Sequence, residues 1–193
     1  MNEHDLRILE DFCDRWLDKA STYDLGTLAG IFDHFFSIFV VYNHMYDVAA
    51  HRLLQRGDIK ENDATDRKSA TSHAVHYIGA NRLADRLRAP ENSENVMRIY
   101  ELIDNGTFWV HSNRKNNQPD YARDRECLQN IMAGADEEYC TAILDLIYTT
   151  RCNMFHGIKQ YHQIQKLGLH PMAAILRSVI VELRFAIARD LNT

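Results

Sequence analysis

Apolar residues recur at steps of three and four along almost the whole chain, which is the period of an amphipathic α-helix. The clearest run is Ile31, Phe35, Ile38, Tyr42, Met45 and Ala49. It predicts a long helix of about five turns that ends near Gly57, because glycine favours the left-handed conformation that closes helices. Gly and Pro number only 8 and 3 among 193 residues. Because sandwiches and barrels need many tight turns, this scarcity disfavours an all-β fold.

The remaining segments are helical as well. Further helices are predicted over residues 6–20, 65–87 with Asp63 as the cap, 90–105, 121–132 and 136–157, and a last helix opens at His170-Pro171. Residues 107–111 are rich in β-formers but too few to build a sheet, and residues 112–120 form a polar, locally basic loop. The sequence therefore predicts an all-α fold, a single-domain bundle of about six or seven helices over residues 1–193.

Charge and apolar content limit the function classes. The net charge of −5 argues against a protein that coats nucleic acid through bulk positive charge, yet leaves room for a small basic site. The most apolar run, residues 35–42, is far shorter than the roughly 20 residues of a spanning helix, and the charged N-terminus is unlike a signal peptide. The four cysteines form no C-x-x-C pair. We expect a cytoplasmic protein with no membrane contact, no metal site and no cofactor.

The segment that carries chemistry is residues 148–157, YTTRCNMFHG, at the end of the predicted helix 136–157. Arg151 offers a planar, permanently charged fork for phosphate oxygens, and His156 is a residue type whose pKa near neutrality suits proton transfer. An RNA substrate supplies its own nucleophile, the 2′-hydroxyl. Its attack on the adjacent phosphate gives a 2′,3′-cyclic phosphate and needs charge stabilisation and proton transfer but no metal.

Helical geometry places these two side chains apart. Met154 is expected to face the core. The polar residues then share one stripe of the helix: Thr149, Cys152, Asn153 and His156. Arg151 and His156 point about 140° apart, so two copies related by a two-fold axis would bring both pairs into one cleft. Spacing alone also allows Arg151 to pair with an acid and His156 to cap the helix.

The string RCNMFHG, residues 151–157, late in a helical chain, resembles the R-x4-H motif of the HEPN superfamily. The resemblance implies a helical bundle that homodimerises with the two motifs facing each other. It also implies a metal-independent endoribonuclease, a hydrolase of the kind that serves as a toxin, in phage defence or in RNA processing. By motif match, Arg151 stabilises the phosphate, His156 is the general acid and base, and Asn153 is a polar helper.

Other residues are candidates for RNA contacts. Lys159 and Tyr161, just past the motif, are expected to line the same cleft, and Arg114 and Lys115 lie in the polar loop. The expected partners are RNA, a second copy of the chain, and an antitoxin or other regulatory protein.

Two readings of the sequence remain open at this point. One is the endoribonuclease. The alternative is a non-catalytic HEPN-like module that binds RNA, a nucleotide or a protein partner, because some members of the superfamily do not cleave. A second basic patch, formed by Arg82, Arg86 and Arg88, is interpreted as a solvated helix face and not as an RNA guide.

Overall fold

Residues 3–113, 116, 118–155 and 163–190 are described by the computed structural model. Within them the chain forms eight helices and no strand, a single all-α domain as predicted. One helix, α3, consists of three consecutive stretches, Asp66–Lys68, Ser69–His73 and Ala74–Ile78, and the middle stretch is π-helical. The others are α1 (Glu3–Ser21), α2 (Leu28–Arg56), α4 (Ala80–Arg88), α5 (Pro90–Asp104), α6 (Tyr121–Ala133), α7 (Asp136–Phe155) and α8 (Gln163–Asp190).

Helix α2 runs through the core, and α1 and α8 pack against it. Its predicted apolar stripe is fully buried, with 0% exposure for Ile31, Phe35, Ile38, Tyr42, Met45 and Ala49. Full burial of one such large side chain contributes about 1.5–3 kcal/mol. The helix begins after Thr27, whose Oγ1 accepts from the Gly30 N–H at 3.0 Å, and ends at Gly57 as predicted. Neither α2 nor any other described helix has the combined length and hydropathy needed to cross a bilayer.

The predicted helix 65–87 is divided into α3 and α4, which corrects the sequence interpretation. Gly79 has φ 98° and ψ 119°, outside the helical region and in a conformation that side-chain-bearing residues rarely adopt. The chain therefore turns there, and α4 packs against α7. The cap differs as well, because Thr65 Oγ1 accepts from the Lys68 N–H at 3.4 Å, whereas Asp63 pairs with the Lys68 side chain.

The last helix begins earlier than predicted. It starts at Gln163, so Pro171 lies inside α8 instead of opening it. Proline has no N–H to offer the preceding turn, which usually destabilises a helix interior by about 3 kcal/mol. Leu169 and Met172, on either side of Pro171, are both 0% exposed. Their burial in the core offsets that loss and keeps the first turns of α8 helical.

The segment between α5 and α6 carries residues that matter for the site. Its described residues form no strand, as predicted for residues 107–111, and Ser112 and Pro119 make an isolated antiparallel bridge. Phe108 and Val110 are nevertheless buried. The segment therefore lies against the helices as an extended strap, and α6 begins after it with Asp120 as its cap.

Candidate functional site

Arg151 lies near the described end of α7, beside an open cavity of about 260 Å³. Its guanidinium carbon is 5.1 Å from the centroid of the Phe39 ring, a distance at which a cation is attracted to the face of an aromatic ring. The arginine is half-buried. The other residues around the cavity come from α1 and α2: Phe12, Phe36, Phe39, Val40, Asn43, His44 and Asp47. The residue predicted to bind phosphate thus borders a concave surface.

The side chain of Asp66, the first residue of α3, forms hydrogen bonds to both α2 and α7, and it meets α7 just before the motif begins at Arg151. Its Oδ2 accepts from the Tyr148 hydroxyl at 2.7 Å, and its Oδ1 accepts from the Tyr46 hydroxyl at 2.5 Å. Burial and these hydrogen bonds to Asp66 raise the pKa of both phenols. Both hydroxyls therefore stay protonated and continue to donate at physiological pH.

Arg67, the next residue in the chain, also contacts α7. It forms an ion pair with Asp145, and its Nη2 donates to Thr149 Oγ1 at 3.4 Å. We call these two residues, Asp66 and Arg67, the α3 clamp. Because the clamp contacts α7 at three positions within about two turns of Arg151, side chains from another helix fix where that part of α7 lies.

Asn153 faces inward and not along the polar stripe. It is 4% exposed, and its Nδ2 donates to the carbonyl oxygen of Val110 at 2.5 Å. The N–H of Val110 donates to Asp124 Oδ2 at 2.9 Å, so side chains satisfy both backbone groups of this buried residue. Buried backbone groups outside regular structure need such partners. Met154, expected inside, is only half-buried, and the role of Asn153 as a helper in chemistry stays a prediction.

The imidazole of His111 lies in the interior, between the carboxylates of Asp124 and Asp145. It is 2% exposed, with Nδ1 at 2.7 Å from Asp124 Oδ1 and Nε2 at 3.1 Å from Asp145 Oδ2. Carboxylates only accept hydrogen bonds, so the ring is held as a cation that donates from both nitrogens. With Arg67 on the far side of Asp145, the group contains two cations and two anions. We call these four residues the His111 network.

The pKa values of the network are consistent with that charge assignment. Burial lowers the pKa of His111, but the hydrogen bonds with Asp124 and Asp145 outweigh it and hold the pKa above its ordinary value. For Asp145, burial raises the pKa, and His111 together with Arg67 lowers it by more. Sequence reasoning missed this network, although one signal was present. Asp145 interrupts the apolar residues 143–147.

The same region brings together atoms of types that bind metals. His111, Cys127 and Asp145 place ligand atoms within 4.8 Å of one another. Burial and the neighbouring carboxylates raise the pKa of the Cys127 thiol to about 12, so a metal would have to displace its proton. His111 and Asp145 already have partners within the network. The arrangement is therefore better described as a charge-paired core cluster than as a preformed metal site.

Several predicted site residues lie outside the described residues: His156, Lys159, Tyr161, Arg114 and Lys115. Their roles, and a homodimer formed through the face that carries Arg151 and His156, stay predictions.

The second basic patch is neutralised by its neighbours. Its ion pairs are Arg82–Glu182, Arg86–Glu91 and Arg88–Asp136. Because each guanidinium faces a carboxylate, this surface of α4 has little positive charge left for a polyanion. The geometry favours the interpretation as an ordinary helix face.

Comparison with known proteins gives no further assignment. No protein-family model matches the chain, and no curated protein or solved structure matches it either.

Proposed function

We propose that this protein is a metal-independent endoribonuclease of the HEPN type, acting as a homodimer in a toxin, phage-defence or RNA-processing role. The observation that carries the proposal is the position of Arg151, whose guanidinium lies on the Phe39 ring at the edge of an open cavity. A phosphate oxygen at that edge would meet a fixed, permanently charged donor.

The proposed reaction needs two proton transfers and one centre of charge stabilisation. The 2′-oxygen attacks the adjacent phosphorus and loses its proton, the bond to the 5′-oxygen breaks, and that oxygen receives a proton. The products are a 2′,3′-cyclic phosphate and a 5′-hydroxyl. Arg151 neutralises the charge that develops on the non-bridging oxygens. His156 moves protons, and a dimer would supply one imidazole for each transfer.

The surroundings of Arg151 support this role. Catalysis by charge stabilisation depends on donors that are already in place before the reaction. The ring of Phe39, 2% exposed, provides a rigid surface for the guanidinium. The α3 clamp fixes the preceding turn through Tyr148 and Thr149. The arginine therefore needs little reorganisation when a phosphate arrives.

The second candidate function is an HEPN-like module that binds RNA or a nucleotide without cutting it. One observation favours it. Asn153, the polar helper of the motif, is buried and bonded to the Val110 carbonyl, so among the described motif residues it is Arg151 that borders the cavity. Binding a nucleotide requires a cation and a surface for the base, and it does not require an acid or a base.

The experiment is cleavage of total cellular RNA by the purified protein in excess EDTA. We expect cleavage by the wild type with 2′,3′-cyclic phosphate ends, and loss of at least a hundredfold in His156→Ala. His76→Ala is the matched control, since His76 is an exposed helical histidine on α3, and it should cleave normally.

The outcomes separate the two functions. Equal cleavage by the wild type and His156→Ala would indicate a contaminating nuclease or a different site. RNA binding that requires Arg151, without any cleavage, would support the binding module. Full activity from a protein that sediments as a monomer would contradict the dimeric arrangement.

A further inference from the structure

We propose that the cavity beside Arg151 binds one nucleobase of an RNA strand, which stacks on its aromatic wall while Arg151 contacts the adjoining phosphate. The proposal deepens the function above and rests on RNA being the ligand. We call this space, bordered by the residues named earlier, the Arg151 cavity.

The wall of the Arg151 cavity is aromatic. Phe12, Phe36 and Phe39 all border it, and the Phe12 ring packs against the His44 imidazole with centroids 4.8 Å apart. Proteins that recognise single-stranded RNA stack its unpaired bases on such rings and on arginine guanidinium groups. Here Arg151 and the rings border the same cavity, so one nucleotide can use both.

The rim of the cavity is polar and partly fixed. Asn43 lies on it, with its side-chain oxygen 2.8 Å from the Tyr46 hydroxyl, which is itself bound to Asp66 of the α3 clamp. Asp47 adds a carboxylate that accepts hydrogen bonds. The edge of a nucleobase carries donors and acceptors in one plane, and an anchored amide beside a carboxylate matches that pattern.

The size of the cavity favours a single ring system. Its volume, about 260 Å³, is below the roughly 300–1,000 Å³ of pockets that hold drug-sized ligands. A larger cavity of about 550 Å³ lies further along α2, between residues 47 and 69. Phenylalanine, tyrosine and tryptophan do not contribute to its lining. The smaller cavity therefore combines a wall of phenylalanine rings with a cation that can reach a phosphate, and the larger one has no such wall.

The test is a binding titration with small phosphate ligands. Binding is measured by calorimetry and by the NMR chemical shift of the Asn43 side-chain amide. The probes are AMP and ribose 5-phosphate, which carries the same phosphate without a base. We expect AMP to bind the wild type at least about fivefold more tightly than ribose 5-phosphate, from stacking on one ring. The Asn43 amide should shift only with AMP.

Two variants remove the stacking site by different routes. Phe36→Ala deletes part of the wall, and Val40→Trp fills the space without deleting any core side chain. Each should abolish the preference for AMP, and the second keeps the test valid where the first fails to fold. The control is Phe185→Ala, which removes a phenylalanine that lies 51% exposed on α8, beside Arg82 at 3.9 Å and outside the cavity.

The results distinguish failure of this proposal from failure of the proposed function. Equal binding of AMP and ribose 5-phosphate, or unchanged AMP binding in Val40→Trp, would overturn the nucleobase site. A third result would also overturn it: the wild type binds no AMP, and the Val40→Trp variant is a monomer where the wild type is a dimer. A second copy of the chain would then cover the cavity. AMP binding that depends on Phe36, in a protein that never cuts RNA, would support the nucleobase site and contradict the nuclease.

Discussion

Nε2 of His111 and Oδ2 of Asp145 lie 3.1 Å apart inside the bundle. The contact joins the strap between α5 and α6 to the helix that carries the RCNMF part of the motif. Asp145 lies six residues before Arg151 in the same helix. The ionisation of a buried histidine is therefore coupled to the stability of the helix on which the candidate site is built.

Replacing His111 with alanine should lower the free energy of unfolding by about 1–3 kcal/mol at pH 5.5, because it removes the cation between two buried carboxylates. Asp145 keeps its ion pair with Arg67, and Asp124 keeps its hydrogen bonds from the backbone N–H groups of residues 110 and 111. Urea unfolding followed by circular dichroism measures the change. The control is His76→Ala, an exposed histidine on α3, which should change the stability by no more than about 0.5 kcal/mol.

The loss in His111→Ala should depend on pH. The folded-state pKa of His111 is raised above 6.5, so its stabilisation is complete below about pH 6.5 and is lost as the pH rises through the folded value. Asp145 has a pKa lowered from 3.8, so its contribution is present above that pH and is lost as the pH falls through the folded value. The difference between wild type and variant should be largest near pH 5–6. An equal difference at pH 5.5 and pH 9 would argue against a cationic His111.

Asn153→Ala should lower the free energy of unfolding by about 1–3 kcal/mol, since it leaves the buried Val110 carbonyl without its partner. Asn95→Ala is the matched control. The Asn95 amide also donates to a backbone carbonyl, that of Glu91 at 3.0 Å, but on an exposed surface of α5. Equal, small changes in the free energy of unfolding of both variants would show that the buried Asn153 hydrogen bond stabilises the fold no more than the exposed Asn95 hydrogen bond.

Gly79→Ala should destabilise the protein by about 1–3 kcal/mol. An added Cβ would meet nothing within 4 Å, so the loss comes from the backbone conformation at φ 98° and not from a clash. Gly57→Asn serves for comparison, because Gly57 has the left-handed conformation that asparagine tolerates. If Gly79→Ala matched the wild type in a thermal melt, α3 and α4 would form the continuous helix that the periodicity first predicted.

Arg151→Lys should reduce RNA cleavage by about a hundredfold or more, nearly as far as Arg151→Ala. Lysine keeps the charge but loses the planar group that packs on Phe39 and that, in the proposed reaction, would bind two phosphate oxygens. Arg82→Lys is the control, because Arg82 also packs on a phenylalanine, Phe185, and this variant should cleave normally. Full activity in Arg151→Lys would mean that charge alone is sufficient at this position.

The fold was largely predictable because burial follows a helical period. The α2 stripe from Ile31 to Ala49 is buried at every predicted position, and Gly57 ends the helix as expected. The divided helix at Gly79 was missed because the apolar spacing continues across it into α4. Pro171 was taken for a helix start because its cost is local, whereas the burial of Leu169 and Met172 that offsets it depends on the packing of the whole bundle.

Of the predicted site residues, the motif pointed to one that borders an open cavity, Arg151. Its role in binding phosphate stays a prediction. Asn153 was assigned to the wrong face, because its partner, the Val110 carbonyl, is 43 residues away and invisible to periodicity. The same holds for the α3 clamp, whose partners on α7 are distant in sequence. Long-range polar contacts of this kind have no local sequence signal.

The α3 clamp has a mechanical consequence. Tyr148 is hydrogen-bonded to Asp66, and Thr149 is hydrogen-bonded to Arg67. Asp145 forms an ion pair with Arg67. A load applied at Arg151, as when a bound polymer is pulled, would pass through these bonds into α3 instead of bending α7 alone. Helices α3 and α7 should therefore move together under such a load, as one rigid unit.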